Sequence, residues 1–166
     1  MLKPSPAIAA AFILALSATA AHAGQYLQVG GHLNIITDSD VDPGFVGDLR
    51  GGYAQDRFAV EFESSYSYNA AEIIGIDVDV TTYSVGGNVR YQAWRGLELA
   101  LGGGYSFSEG ETDFGSIEDD GLYGKGEVAY VVKTGQVELV PALQAVWIDP
   151  IDEWTIRAGM GVRLGP

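Results

Sequence analysis

The 166-residue sequence predicts an all-β chain, an eight-stranded antiparallel up-and-down β-barrel that crosses a membrane. Three observations predict it: a two-residue alternation of apolar and polar side chains that returns along the chain, acids gathered into alternate connections, and aromatics gathered near both ends of the strands. The alternation is clearest over 58–68, where Phe58, Val60, Phe62, Tyr66 and Tyr68 share one side. Ala59, Glu61, Glu63, Ser65 and Ser67 share the other. A period of two means an extended strand, because successive side chains point to opposite faces. At about 3.3 Å per residue and a tilt of about 45°, this segment spans roughly 26 Å, close to the apolar band of a transmembrane barrel.

The first 23 residues read as an export leader. Lys3 gives a basic start, Ala7 to Ala15 an apolar core, and Ala21-His22-Ala23 a small-x-small cleavage site. The apolar run is too short for a membrane helix. The predicted organisation is therefore a signal peptide over 1–23 and one barrel domain over 24–166. The chain contains no cysteine, so neither disulfides nor a lipid-acceptor thiol enter the argument. Backbone hydrogen bonds must hold an exported fold of this kind, and closure gives every strand two partners. The net charge of −13 argues against nucleic acid as a partner, since that requires bases to neutralise phosphates.

The predicted strands are 25–36, 45–55, 58–68, 79–92, 97–107, 121–132, 137–148 and 154–164. The fifth sets Leu97, Leu99, Leu101, Tyr105 and Phe107 against Glu98, Ala100, Gly102, Gly104 and Ser106. The sixth sets Leu122, Val128 and Tyr130 against Tyr123, Lys125, Glu127 and Ala129, and the seventh sets Val137, Leu139, Leu143 and Trp147 against Glu138, Ala142 and Gln144. The eighth opposes Trp154, Ile156, Met160 and Val162 to Arg157 and Arg163. The first and fourth are looser. In the fourth, Val78 and Val80 fall out of phase with Tyr83, Val85 and Val89, which a bulge or a strand starting after Val80 would explain. Connections after the second, fourth and sixth strands are short (55–57, 93–96 and 133–136). Those after the first, third and fifth are longer, the longest being 108–120. Short periplasmic turns and longer outer loops orient the barrel, with both termini on the periplasmic side.

Charge follows the same division. Asp38, Asp40, Asp42, Glu72, Asp77, Asp79, Glu109, Glu111, Asp113, Glu118, Asp119, Asp120, Asp149, Asp152 and Glu153 fall in the four outer connections, with no base among them. The inward positions carry a candidate lumen charge network: Asp48, Glu61, Glu63, Glu98, Glu127 and Glu138 with Arg50, Arg90, Lys125, Arg157 and Arg163. A narrow lumen requires this near balance, because an unpaired buried charge is costly. Arg57, Arg95 and Lys133 occupy the short turns. Tyr66, Tyr68, Tyr105, Phe107, Trp147 and Trp154 are expected in an outer aromatic girdle, and Tyr26, Tyr53, Phe58, Tyr91, Trp94 and Tyr130 in an inner one.

With these features the chain resembles the small eight-stranded outer-membrane barrels, the OmpA/OmpX-type and opacity-like porin superfamily of Gram-negative envelopes. The stretches that carry the likeness are Leu97-Glu-Leu-Ala-Leu-Gly-Gly-Gly-Tyr-Ser-Phe107 and Ile156-Arg-Ala-Gly-Met-Gly-Val-Arg-Leu164. The resemblance implies an outer-membrane location and insertion by the barrel-assembly machinery, which reads a final strand ending in an aromatic. Here Leu164 holds that outward position, followed by Gly165-Pro166.

No motif promises chemistry. Asp38-Ser-Asp-Val-Asp-Pro-Gly44 begins like a calcium loop, but Gly stands at the seventh place and Leu49 at the twelfth, so it reads as a solvated acidic loop. His32 projects inward, away from any acyl chain, and reads as one polar lumen residue rather than a catalytic base. The glycines supply no nucleotide loop and instead relieve crowding in the lumen. The expectation is a non-enzymatic, cofactor-free, monomeric outer-membrane barrel. It would anchor acidic outer loops that meet membrane lipid and lipopolysaccharide through divalent cations, with its lumen plugged by paired charges. Arg157→Ala or Glu127→Ala should then lower stability by leaving a partner charge unpaired. Two alternatives stand beside it: a narrow porin-like channel for water or small cations, and a soluble periplasmic barrel that binds a ligand inside.

Overall fold

A computed structural model describes residues 24–36, 42–73, 76–112, 115–149 and 153–165. The predicted leader, most of the calcium-like segment and parts of the outer connections lie outside them. The strands are β1 (Gln25–Ile36), β2 (Gly44–Gln55), β3 (Phe58–Ile73), β4 (Ile76–Trp94), β5 (Leu97–Thr112), β6 (Gly115–Tyr130), β7 (Val132–Thr134), β8 (Val137–Ile148) and β9 (Glu153–Leu164). Successive strands pair antiparallel, β1 pairs β9, and β6 pairs β8, which closes the sheet on itself. The short β7 continues the line of β6 past Val131 against β8, so the closed barrel has eight staves.

Closure decides what each face meets. Val29, Leu33, Val60, Phe62, Val89, Leu101, Leu122, Leu143 and Met160 are exposed around the outside. Asp48, Arg50, Glu61, Glu63, Arg90, Lys125 and Glu127 are buried within. An apolar exterior of this extent demands lipid. A soluble ligand-binding barrel has the opposite arrangement, with its apolar face inward.

Four expectations are corrected. The connections 69–78 and 108–120 are largely strand: β3 and β4 stay paired to Ile73↔Ile76, and β5 and β6 to Thr112↔Gly115. The described acids there are carried on hairpins that prolong the barrel wall. Val78 and Val80 need no bulge, because β4 runs in register through them and turns them to the same side as inward Thr82 and Ser84; the irregularity lies at Gln92/Trp94. Tyr26 is not a girdle residue. It shares the inward phase of Gln28 and His32, and is buried. Lys133 belongs to β7, and the tight turn after it is Gly135-Gln136, with Gly135 at φ +66°.

Small residues on the inner wall make room for these side chains. A methyl group on Gly104 would lie 2.9 Å from the Tyr123 ring, and one on Gly86 would collide with its hydroxyl, so Tyr123 lies across β5 and β4. Tyr26 lies over Gly52 in the same way, its Cζ 2.6 Å from where a Cβ would stand. Each pit lets a large inward side chain lie along the wall, so that the narrow lumen fills with side chains.

Candidate functional site

The inward phase of the strands fills the lower and middle lumen with charge. Arg50 on β2 is its hub. Nε lies 2.9 Å from Asp48 and 3.0 Å from Glu63, and Nη1 lies 2.7 Å from Glu127 on β6. In an eight-stave ring β2 and β6 are diametrically opposite, so the Arg50–Glu127 pair spans the full lumen. Arg90 on β4 grips Glu61 with two nitrogens at 2.9 and 3.1 Å, and its Nη2 also lies 2.8 Å from Glu127. Glu127 is thereby held between two guanidinium groups, and Gln144 donates to it at 2.9 Å. Bidentate arginine–carboxylate pairs of this kind fix orientation as well as charge.

Nearer the periplasm, Arg163 on β9 forks onto Glu98 of β5 at 3.1 and 2.8 Å and reaches Glu138 at 3.4 Å. Arg90 also meets Glu98, at 3.2 Å, and so joins the two groups. Lys125 pairs with Glu63 across the lumen, from β6 to β3. Of the eleven charged residues singled out from the sequence, ten are buried and Glu138 is half-buried.

Arg157 is the exception among the bases. It is 4% exposed, and its Nε donates to Asn34 Oδ1 at 3.1 Å. Among the described residues no carboxylate lies within ion-pair distance of it. Its direct contact is a neutral amide, while Glu63 and Asp48 act on it from beyond ion-pair distance. The reason is height in the barrel. Arg157 lies opposite Asn34 in the ladder, toward the outer third, where the inward positions are Ser65, Ser67, Asn69, Thr82, Ser84, Ser106 and Thr155. These bring hydroxyls and amides, so Glu63 and Asp48 act on Arg157 without touching it.

The network also includes side chains outside the eleven charged candidates, of which His32 was read from the sequence as an inward polar residue and Tyr26, Asn88 and Gln28 were not. Tyr26 donates to Glu61 at 2.6 Å, and Arg163 lies 4.8 Å above its ring. Asn88 donates to Glu63 at 3.1 Å, and Gln28 accepts from Arg163 at 3.1 Å. His32 lies 2.5 Å from Asp48. The signal that could have found them is phase: each shares the inward parity of its charged neighbours. Among the described residues no set of acids and histidines is arranged to hold a metal ion.

A closed barrel with an apolar exterior and a charged, cross-braced interior is what the outer membrane accommodates. The family model described as the outer membrane protein beta-barrel domain matches residues 7–139. The chain belongs to this family. It is thus an outer-membrane β-barrel of the Gram-negative envelope. No curated protein matches its sequence. Among solved structures, Neisserial surface protein A is 17% identical over 87% of this chain and 98% of its own, with a TM-score of 0.59. Ail, the attachment invasion locus protein of Yersinia pestis, is 15% identical over 86% of this chain and 100% of its own, with a TM-score of 0.57. At such identities the likeness is one of fold. Ail has also been solved in complex with the heparin analogue sucrose octasulfate, and in that comparison it is 17% identical, with a TM-score of 0.55.

Proposed function

We propose that this outer-membrane barrel is a plugged, non-enzymatic anchor that presents an acidic outer surface to lipopolysaccharide and divalent cations. The observation that carries the plug is the pair of guanidinium groups, Arg50 and Arg90, clasping Glu127 at 2.7 and 2.8 Å across the lumen. An ion or water column would have to displace these paired, buried charges, and breaking such a pair costs about 3–5 kcal/mol. The outer surface is supported by the register of the long hairpins. Asp79 stands opposite Glu111, and Glu109 opposite Glu118, with no base nearby to offset them. Like charges directly opposite destabilise a ladder, and mobile divalent ions shared with lipid phosphates would relieve that repulsion.

A polysulfated glycan mimic such as the one bound to Ail does not suit this surface, because acids without bases repel it. The barrel is expected to insert through the assembly machinery and to act as a monomer. Conductance across a planar bilayer tests the plug: a folded, inserted and electrically silent barrel is expected. Discrete cation-selective steps would replace anchoring with a narrow porin-like channel. Removal of divalent ions by a chelator should release lipopolysaccharide from the purified protein, and unchanged association would refute the surface reading.

A further inference from the structure

The periplasmic mouth has features that the anchoring role does not use. Three strand connections follow one another around it, and backbone hydrogen bonds tie them to their neighbours: Gln92 N–H to Arg57 C=O at 2.7 Å, and Val131 N–H to Gly96 C=O at 2.7 Å. The rim they form is fixed by the main chain rather than by side-chain packing. Between them opens a cavity of about 380 Å³.

Its rim carries Arg57, Arg95 and Lys133, and its floor carries Arg90 and Arg163. The floor bases are committed to Glu61, Glu98, Glu127 and Glu138. The two rim arginines are not. Among the described residues neither Arg57 nor Arg95 has an ion-pair partner, and Lys133 reaches only Glu138, at 3.5 Å. Asp56 and Glu138, which stands opposite Lys133 in the ladder, are the acids of the rim. In a chain of net charge −13, this is a local concentration of uncommitted positive charge beside a cavity. Both exposed arginines adjoin an exposed aromatic, Phe58 at 58% and Trp94 at 74% exposure. Aromatics so placed mark the membrane–water interface, which puts the cavity rim at the depth of the inner-leaflet phosphates.

We infer that the periplasmic mouth, formed by Arg57, Arg95 and Lys133 around the cavity, is a binding site for the phosphate of an anionic phospholipid headgroup. The lipid is favoured over a soluble anion because the aromatics hold the arginines within the headgroup layer. Arginine suits the site, since its planar fork meets a phosphate with two parallel donors. Asp56 opposes the ligand. Its turn geometry (φ +56°) is one that asparagine also adopts readily, so its charge can be removed while the turn is kept.

The test is native mass spectrometry of the protein purified from membranes and reconstituted in nanodiscs of mixed phosphatidylglycerol and phosphatidylcholine. The wild-type protein should retain phosphatidylglycerol in preference. The preference should fall by about fivefold per arginine removed in Arg57→Gln and Arg95→Gln, the scale expected for a base near an anionic surface. It should rise in Asp56→Asn. Heat-shifted gel mobility identifies variants that remain folded. Equal retention of the two lipids by the wild-type protein would overturn the proposal, as would a preference that survives loss of both arginines. Inorganic phosphate added at matched ionic strength should leave the lipid adducts in place. Its displacement of lipid would overturn the headgroup as occupant and assign the site to a soluble anion.

Discussion

Glu127 and Arg157 are both buried lumen charges, yet their loss should have different consequences. Glu127 lies 2.7 Å from Arg50 and 2.8 Å from Arg90. Its replacement by alanine leaves two desolvated guanidinium groups facing one another, and should lower unfolding stability by about 3–5 kcal/mol. Arg157 is in contact with Asn34, and Glu63 and Asp48 act on it only from beyond ion-pair distance, so its replacement by methionine breaks no direct ion pair. That change should cost less than about 1.5 kcal/mol, the scale of a single hydrogen bond, and urea midpoints in reconstituted bilayers compare the two. Equal losses would mean that Glu63 and Asp48 hold Arg157 as strongly as a contact pair would. The Tyr26–Gly52 pit offers a second comparison. Gly52→Ala brings a methyl to 2.6 Å from Tyr26 Cζ and should cost about 1–3 kcal/mol. Combined with Tyr26→Leu the losses should be less than additive, because one clash underlies both. Strict additivity in the double-mutant cycle would refute the pit.

Among the strands, the long hairpins β3–β4 and β5–β6 are the least expected elements. Their ladders continue to Ile73↔Ile76 and Thr112↔Gly115, although their outer parts are rich in acids that suggest loop. Thr81, Thr82 and Val80 on β4 favour extended backbone, and the antiparallel ladder within each hairpin supplies the rest. The repulsion between Glu109 and Glu118 remains. Glu118→Lys should convert it to attraction and stabilise the outer hairpin by about 0.5 kcal/mol. Slower amide exchange over 108–112 and 115–119 would register the gain, and unchanged exchange would mean that bound cations already neutralise the pair.

For the barrel as a whole, closure is the source of stability. β9 supplies the second partner of both β1 and β8, and its removal would leave two unpaired edges in hydrocarbon, each orphaned backbone group costing several kcal/mol. A chain truncated before Glu153 should therefore fail to give the heat-shifted gel mobility of a folded barrel. A retained shift would mean that β1 and β8 pair directly, in a smaller barrel.

The alternation in the amino-acid sequence determined, by itself, that the chain is extended, how many staves it has and which side chains face inward, because a strand's period of two assigns each residue to a face with no knowledge of its neighbours. It placed Arg50, Glu61, Glu63, Arg90 and Glu127 on one face. The same rule applied to 25–36 would have placed Tyr26 there too, had its aromatic ring not suggested a girdle. Only the tertiary structure decided that Arg50 meets Glu127 rather than another acid, that Arg157 meets an amide, and that the acidic connections continue as hairpins. Those outcomes depend on ladder register and ring closure, which bring together residues 77 and 123 positions apart in the chain. Parity is a local property of the backbone, whereas height and direction across the lumen exist only once the last strand has paired with the first.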